Sequence, residues 1–363
     1  MYEEGKARIK YADDAFLNPE AALSRDFSVA FMNSVLTGRS KALDSTAATG
    51  IRGIRYCQET KAKDMTMLDI NEKAFDSLRK NVKFNHVKAS IYNTSIQEFA
   101  NTTKEKFDVI DLDPFGGITP YIYDLLKVAK SGTYLMATGT DTAVLCGAER
   151  KACIRLYDSV PMHNELCHET GMRILIGYIA RMAAQFNMGI EVLMSLSYLH
   201  YMRVFIRLNS GFKSAEGSVG RIGYAYHCQK CGSTYCKAGQ LPESACTSCN
   251  NRLEISGKLW VGPLHDKAIV GSVSKYLSRH KAARNEMKVI TTMGEELDIP
   301  LYYSVPRLTM KLGIGSVSPD LVMETLKEKG FRTSKTHMKD SCIKTDAPVG
   351  EVERVIMKLW KQM

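Results

Sequence analysis

Between Ala42 and Thr138 the chain alternates short apolar runs with stretches of helical period, and this alternation constrains the fold more than any other feature. Ala42-Leu43-Asp44 predicts a first strand, followed by the small-residue loop Ser45-Thr-Ala-Ala-Thr-Gly-Ile-Arg-Gly53 and a helix to about Glu59. Met65–Asp69 reads as a second strand ending in an acid. Residues 72–85 set Phe75, Leu78 and Val82 at helical spacing behind Asn71, a good N-cap residue. Further strands are predicted at Ser90–Asn93, Asp108–Leu112 and Gly132–Thr138. Strands that alternate with helices build an α/β doubly wound, mostly parallel sheet, which holds its ligands at the carboxyl ends of the strands.

Three candidate ligand positions fall at such ends. The loop Ala47–Gly53 is small enough for a ligand to approach the backbone. Asp69 lies 19 residues beyond Gly50, near the ~20-residue offset of an acid that binds ribose hydroxyls. The loop carries Ala47, Gly50 and Gly53 rather than a full G-x-G-x-x-G, which argues against a dinucleotide. A nucleoside cofactor without a pyrophosphate needs less phosphate cradling, and S-adenosylmethionine is such a cofactor.

The third position is the turn Asp111-Leu-Asp113-Pro114-Phe115-Gly-Gly, directly after the run Phe107-Asp-Val-Ile. Proline fixes φ and removes a donor, so the carbonyl before it can face outward as an acceptor. Asp113 adds a second acceptor, and Phe115 offers a face on which a nucleobase can stack. Asp, Pro and Gly also favour plain strand-ending turns. The clamp for a flat exocyclic amine therefore gains its force from the crevice beside it.

Length and charge suggest what that crevice serves. A chain of 363 residues predicts two or three domains. Residues 1–212 carry 26 basic and 24 acidic side chains, and residues 213–363 carry 23 basic and 15 acidic. A near-neutral first half joined to a basic second half fits an enzyme core, 1–212, with a polyanion-binding extension, 213–363. No run of eighteen apolar residues occurs, so no membrane span is expected. The start Met-Tyr-Glu-Glu-Gly-Lys lacks the apolar core of a signal peptide, so a cytoplasmic protein with reduced or metal-bound cysteines is expected.

Cys228-Gln-Lys-Cys231 and Cys246-Thr-Ser-Cys249 are two C-x2-C pairs separated by 14 residues. That spacing predicts a zinc ribbon over about 224–256, with each pair on a tight knuckle and Cys236 as a rival ligand. A closed four-thiolate site leaves no position for chemistry, so this zinc is read as structural. A basic helix over 274–297 links the ribbon to a winged-helix-like module at about 300–350. There Val305–Leu312 predicts one helix, and Ser318-Pro319 opens a second that runs to about Lys329. A basic wing follows.

With these segments in view, the chain resembles the archaeal type of the tRNA (guanine-N2-)-dimethyltransferase family, which modifies guanosine at tRNA position 26. The blocks that carry the resemblance span nearly the whole chain. They are Phe16-Leu-Asn-Pro-Glu, Ser24-Arg-Asp-Phe-Ser, Leu43-Asp-Ser-Thr-Ala-Ala-Thr-Gly-Ile-Arg-Gly, Asp111-Leu-Asp-Pro-Phe-Gly and Thr138-Gly-Thr-Asp-Thr-Ala-Val-Leu-Cys-Gly. Val160-Pro through Cys167-His-Glu, His200-Tyr-Met-Arg-Val-Phe and Leu259-Trp-Val-Gly-Pro-Leu-His-Asp complete the set.

The resemblance implies a class I Rossmann-like methyltransferase domain that uses S-adenosyl-L-methionine, with folded tRNA as partner and a monomeric enzyme. Arg25 resembles the arginine that pairs the methionine carboxylate, a task for a guanidinium fork, and Arg52 a second cofactor-contacting arginine. Asp69 resembles the ribose-binding acid. Ser95 and Ile96 flank the adenine, although Asn-Thr-Ser-Ile departs from the Asp-Ala the family often carries. Gly50 and Phe16 complete the cofactor side. On the catalytic side, Asp113, Pro114 and Phe115 hold the amine and stack the base, with Phe16 either helping or packing in the core. Lys327, Lys329, Arg332, Lys335, Lys339 and Lys344 are expected to meet phosphates. Cys146, Cys153, Cys167, His163 and His168 read as packing residues, since direct transfer needs no covalent nucleophile and their spacing matches no standard zinc pattern.

Overall fold

The computed structural model describes residues 1–10, 16–239 and 243–362. Its central sheet has seven strands in the spatial order Ala89–Asn93, Ala62–Asp69, Ser40–Asp44, Val109–Leu112, Tyr134–Gly139, Tyr201–Ser210 and Met188–Tyr198. The first five are parallel, and the last two add antiparallel. All five predicted strands are present within one to three residues of their expected bounds. The chain winds outward from Ser40–Asp44 to one edge, then returns to its other side at Val109–Leu112. That reversal is the switch point where a doubly wound sheet opens a crevice.

The strands form because their apolar residues serve both faces. Leu43, Leu68, Ile110 and Leu112 join one core with the helices Ile96–Thr102, Ile122–Lys127 and Cys167–Ala184. Ala42, Met65, Met67 and Val109 join the opposite core with the helices Ala22–Val35 and Ile51–Glu59. Val270, Val273, Leu277, Ile290 and Met293 also belong to this second core. Residues well beyond position 212 thus complete the packing of the first half.

These five side chains lie on two helices, Lys267–Arg279 and Arg284–Glu295, where one helix over 274–297 was expected. The break falls beside Lys281, whose backbone is left-handed at φ 55°. Turning there lets both apolar stripes face the same core.

The ribbon is a three-stranded antiparallel sheet in the order Thr234–Ala238, Ile222–His227, Glu254–Trp260. The winged-helix-like module contains Val305–Lys311, Pro319–Glu328, the hairpin Thr333–Lys335 with Cys342–Thr345, and Val349–Lys361 around its own core. Ser318 precedes Pro319 as predicted.

A buried charge network fastens this module to the long helix Cys167–Ala184. Lys344, only 2% exposed, lies 3.0 Å from Glu169 and 3.1 Å from Glu296. Glu169 pairs in turn with Arg173 at 2.8 Å and accepts the Leu301 amide at 2.7 Å. The expectation that Lys344 meets phosphate is therefore corrected: two buried carboxylates compensate its charge inside the protein.

Candidate active site

A cavity of about 830 Å³ opens at the carboxyl ends of the strands beside the switch point. Arg25, Arg52, Asp69, Ser95, Ile96, Phe16, Asp113, Pro114 and Phe115 all line it. Gly50 does not. It caps the Ile51–Glu59 helix at φ 84°, and a Cβ there would lie 2.5 Å from Leu78. Its role is to turn the chain tightly against the neighbouring helix.

The Asp-Pro-Phe-Gly turn is tied to the strand ends on both sides. The Asp113 amide donates to Thr46 Oγ1 at 3.0 Å, and the Gly116 amide donates to Thr140 Oγ1 at 2.7 Å. Phe115 is 75% exposed and Phe16 54% exposed, yet their rings meet edge to face with centroids 4.5 Å apart. Such exposure decides against core packing for Phe16. Two exposed rings at a cavity mouth offer a flat ligand a stacking surface.

Beneath the turn lies a buried polar cluster. Arg52 forms a close ion pair with Asp113 and sits 3.8 Å from Asp111 and 3.3 Å from Ser28 Oγ. Arg203, fully buried, donates to Asp111 and to Thr138 Oγ1, each at 2.6 Å. Tyr56 donates its hydroxyl to Asp111. Burial would raise the Asp113 carboxyl, but the Arg52 and Arg203 guanidiniums outweigh it and hold it below the ordinary range. Asp44, which accepts the Gly53 amide at 3.0 Å, is pushed up to about 7 by burial and by the Asp111 charge. Of the acids around this turn, Asp113 is the ionised one facing the cavity.

The remaining predicted residues carry prior engagements. Arg25 Nε and Nη2 bond Glu4 at 2.6 and 2.5 Å, and Nη2 also donates to the Asn18 carbonyl. A ligand carboxylate at Arg25 would share it with Glu4. Asp69 accepts the Ala48 amide at 2.7 Å and the Asn71 amide at 2.8 Å, which aims its carboxylate across the small-residue loop. Ser95 caps the Ile96–Thr102 helix through the Glu98 amide.

In the ribbon, Cys228, Cys231, Cys246 and Cys249 bring their four Sγ atoms within 4.8 Å of one another. Two S···S separations are 3.5 and 3.6 Å, close to the ~3.8 Å edge of a tetrahedron with 2.3 Å metal–sulfur bonds. Each pair sits on a matching knuckle: the Gly232 amide donates to the Cys228 carbonyl, and the Asn250 amide to that of Cys246. Gly232 and Asn250 both have positive φ. Cys236 stands outside the cluster and packs against the main core, which removes it as a rival ligand.

A family model described as N2,N2-dimethylguanosine tRNA methyltransferase matches residues 1–357. The chain belongs to this family. The tRNA (guanine(26)-N(2))-dimethyltransferase of Thermococcus kodakarensis is 34% identical over 379 residues, covering 98% of each chain. That of Pyrococcus furiosus is 36% identical over 372 residues, covering 97% of this chain and 95% of the other. A solved complex of Trm1 from Pyrococcus horikoshii with S-adenosyl-L-methionine superposes with a TM-score of 0.89 at 34% identity, covering 98% of both chains.

Within this family fold, several cavity and supporting residues have no sequence signal that marks their role. Tyr201 lines the cavity with a buried hydroxyl that has no partner among the described residues. Arg203, Asp111 and Tyr56 brace the clamp from below. His200-Tyr-Met-Arg203 was conspicuous as a block, but only the fold shows that it runs behind Asp111.

Proposed function

We propose that this chain transfers methyl groups from S-adenosyl-L-methionine to the N2 amine of guanosine 26 in tRNA, giving N2-methyl- and then N2,N2-dimethylguanosine. One observation carries the reading: Asp113 and the exposed rings of Phe16 and Phe115 share a single cavity with Asp69 and Arg52. The donor set suits the cofactor, with a carboxylate for its ribose diol, guanidiniums for its amino-acid carboxylate, and Ser95 and Ile96 beside its adenine. S-adenosyl-L-methionine supplies the electrophilic methyl group.

The protein's task is to present the amine. The N2 lone pair of guanine is delocalised into the ring and weakly nucleophilic. Phe16 and Phe115 hold the everted base by stacking, while Asp113 and a backbone carbonyl of the turn accept from the amine. Those contacts favour a more tetrahedral nitrogen and aim its lone pair. They also stabilise positive charge as it develops there. Two guanidiniums keep Asp113 ionised, so it clamps the amine first, and its carboxylate, still a stronger base than water, accepts the departing proton and passes it to solvent. Positioning of the two reactants supplies much of the acceleration.

The four ribbon cysteines hold a structural zinc ion in this reading. The basic second half grips folded tRNA through backbone shape and charge, using Lys327, Lys329, Arg332, Lys335 and Lys339 but not Lys344. The enzyme acts as a cytoplasmic monomer. Tritium transfer from methyl-labelled cofactor to tRNA transcripts with guanosine or adenosine at position 26 tests the proposal. Label confined to the guanosine transcript is expected. Equal labelling of both would sink the site assignment, and labelling of neither would sink the reaction.

A further inference from the structure

Outside the ribbon, a second group of metal-ligating side chains comes together without any standard ligand spacing along the chain. Cys146, Cys167 and His168 place their donor atoms within 4.8 Å of one another. Cys146 ends the short helix Thr142–Leu145, and Cys167 and His168 open the long helix Cys167–Ala184. The backbone is built for this approach. A Cβ on Gly147 would lie 2.7 Å from the Met162 carbonyl, and one on Gly171 would lie 3.0 Å from the Leu145 carbonyl. Two glycines thus let residues 145–147 press onto Met162–His163 and onto the first turns of the long helix. His163 Nδ1 lies 3.0 Å from the Cys146 carbonyl oxygen and adds a further tie.

We propose that Cys146, Cys167 and His168 form a second metal site, which takes a zinc-class divalent cation in Cys2His coordination with water in the fourth place. Two thiolates and an imidazole are the donors that tetrahedral zinc prefers, with ligand–ligand edges of roughly 3.3–3.8 Å. The donors are close enough to reach those edges by side-chain rotation. The start of an eighteen-residue helix favours the anionic form of Cys167. Lys339 of the wing is a neighbouring cation that a pair of thiolates offsets.

The position suggests what the ion does. The helix Thr142–Leu145 continues from Thr140, which hydrogen-bonds Gly116 of the Asp-Pro-Phe-Gly turn. An ion at Cys146 would anchor that connection to the long helix on which the winged-helix-like module is fastened. It is a brace between the methyl-transfer turn and the tRNA-binding half, and it replaces the packing role first read for these residues.

The test compares metal content across full-length chains purified under reducing conditions, stripped, and reloaded with Zn²⁺ or Co²⁺. Cys167→Ser and His168→Ala should each hold one ion fewer per chain than the wild type, by elemental analysis. The visible Co²⁺ bands lost should be those of a two-thiolate site, with the four-thiolate bands of the ribbon retained. Cys228→Ser provides the reciprocal comparison, and retention of the ribbon bands shows that the other variants are folded. Equal metal content in wild type, Cys167→Ser and His168→Ala would overturn the proposal. So would a Cys146–Cys167 disulfide that persists in protein purified under reductant and excludes the ion.

Discussion

Replacing Asp113 with asparagine separates the clamp from the fold. Asp113→Asn keeps the volume and one acceptor oxygen but removes the charge that faces the cavity. Removing one group that stabilises developing charge costs about 3–4 kcal/mol in related settings. We therefore expect kcat to fall roughly 10²–10³-fold. Cofactor affinity should change by less than about threefold, or ~0.7 kcal/mol, because Arg52 keeps Ser28 and Asp111 as neighbours.

The stability cost of this variant follows from the same cluster. Arg52 and Arg203 would face Asp111 alone, but Asp44, held near 7 partly by the Asp113 charge, would then ionise more readily. That response keeps the loss below the ~3–5 kcal/mol of an uncompensated buried charge. Steady-state kinetics, calorimetry with S-adenosylhomocysteine and urea unfolding at pH 7.5 measure all three quantities. A kcat within about threefold of wild type, or a loss confined to cofactor binding, would refute the clamp.

Asp69→Ala should weaken S-adenosylhomocysteine binding by about 10–100-fold, since charged hydrogen bonds contribute ~1.5–3 kcal/mol; unchanged affinity by calorimetry would remove the ribose contact. Lys344→Met should destabilise the protein by about 3–5 kcal/mol, because Glu169 and Glu296 would lose a buried partner. A urea midpoint equal to wild type would show that the junction is not held by this charge. Burial would raise the Glu4 carboxyl, but Arg25 and Arg55 hold it at about 2, below its ordinary 4.5. A folded value below the unfolded one means stability that is present above pH 4.5 and lost as pH falls toward 2, on the order of 3 kcal/mol. Glu4→Gln should lack that acid-side loss and be less stable at neutral pH, and an unaltered pH profile would contradict it.

How far the sequence reveals this architecture depends on how local each signal is. The strands Ala62–Asp69 and Val109–Leu112 were legible because their buried stretches, Met65-Thr-Met-Leu68 and Val109-Ile110, are mostly apolar. Asn71 and Ser318 were legible because they stand at helix starts with the expected residues after them. The antiparallel pair Met188–Tyr198 and Tyr201–Ser210 left no such mark. Its turn is Tyr198-Leu-His-Tyr201, with Leu199 in the left-handed region, where glycine or asparagine would normally announce a hairpin.

At the candidate site, Asp113 and Asp69 were found because their motifs sit at strand ends, whereas Phe16 was reached only through the family resemblance of its block. The pairing of Arg52 with Asp113 joins residues far apart in sequence, and no spacing rule reaches it. Lys344 shows the same limit. It looks like its basic neighbours until the fold sets two carboxylates beside it. Cys146 and Cys167 likewise become a group only when Gly147 and Gly171 let their segments touch.

Mass spectrometry of nucleosides and of ribonuclease fragments from unmodified tRNA, treated with the purified chain and S-adenosyl-L-methionine, tests the methyl-transfer assignment most directly. N2-methylguanosine is expected early and N2,N2-dimethylguanosine later, both at position 26, with neither formed by Asp113→Asn at comparable times. Methylation on another base, or on another atom of guanine, would contradict it.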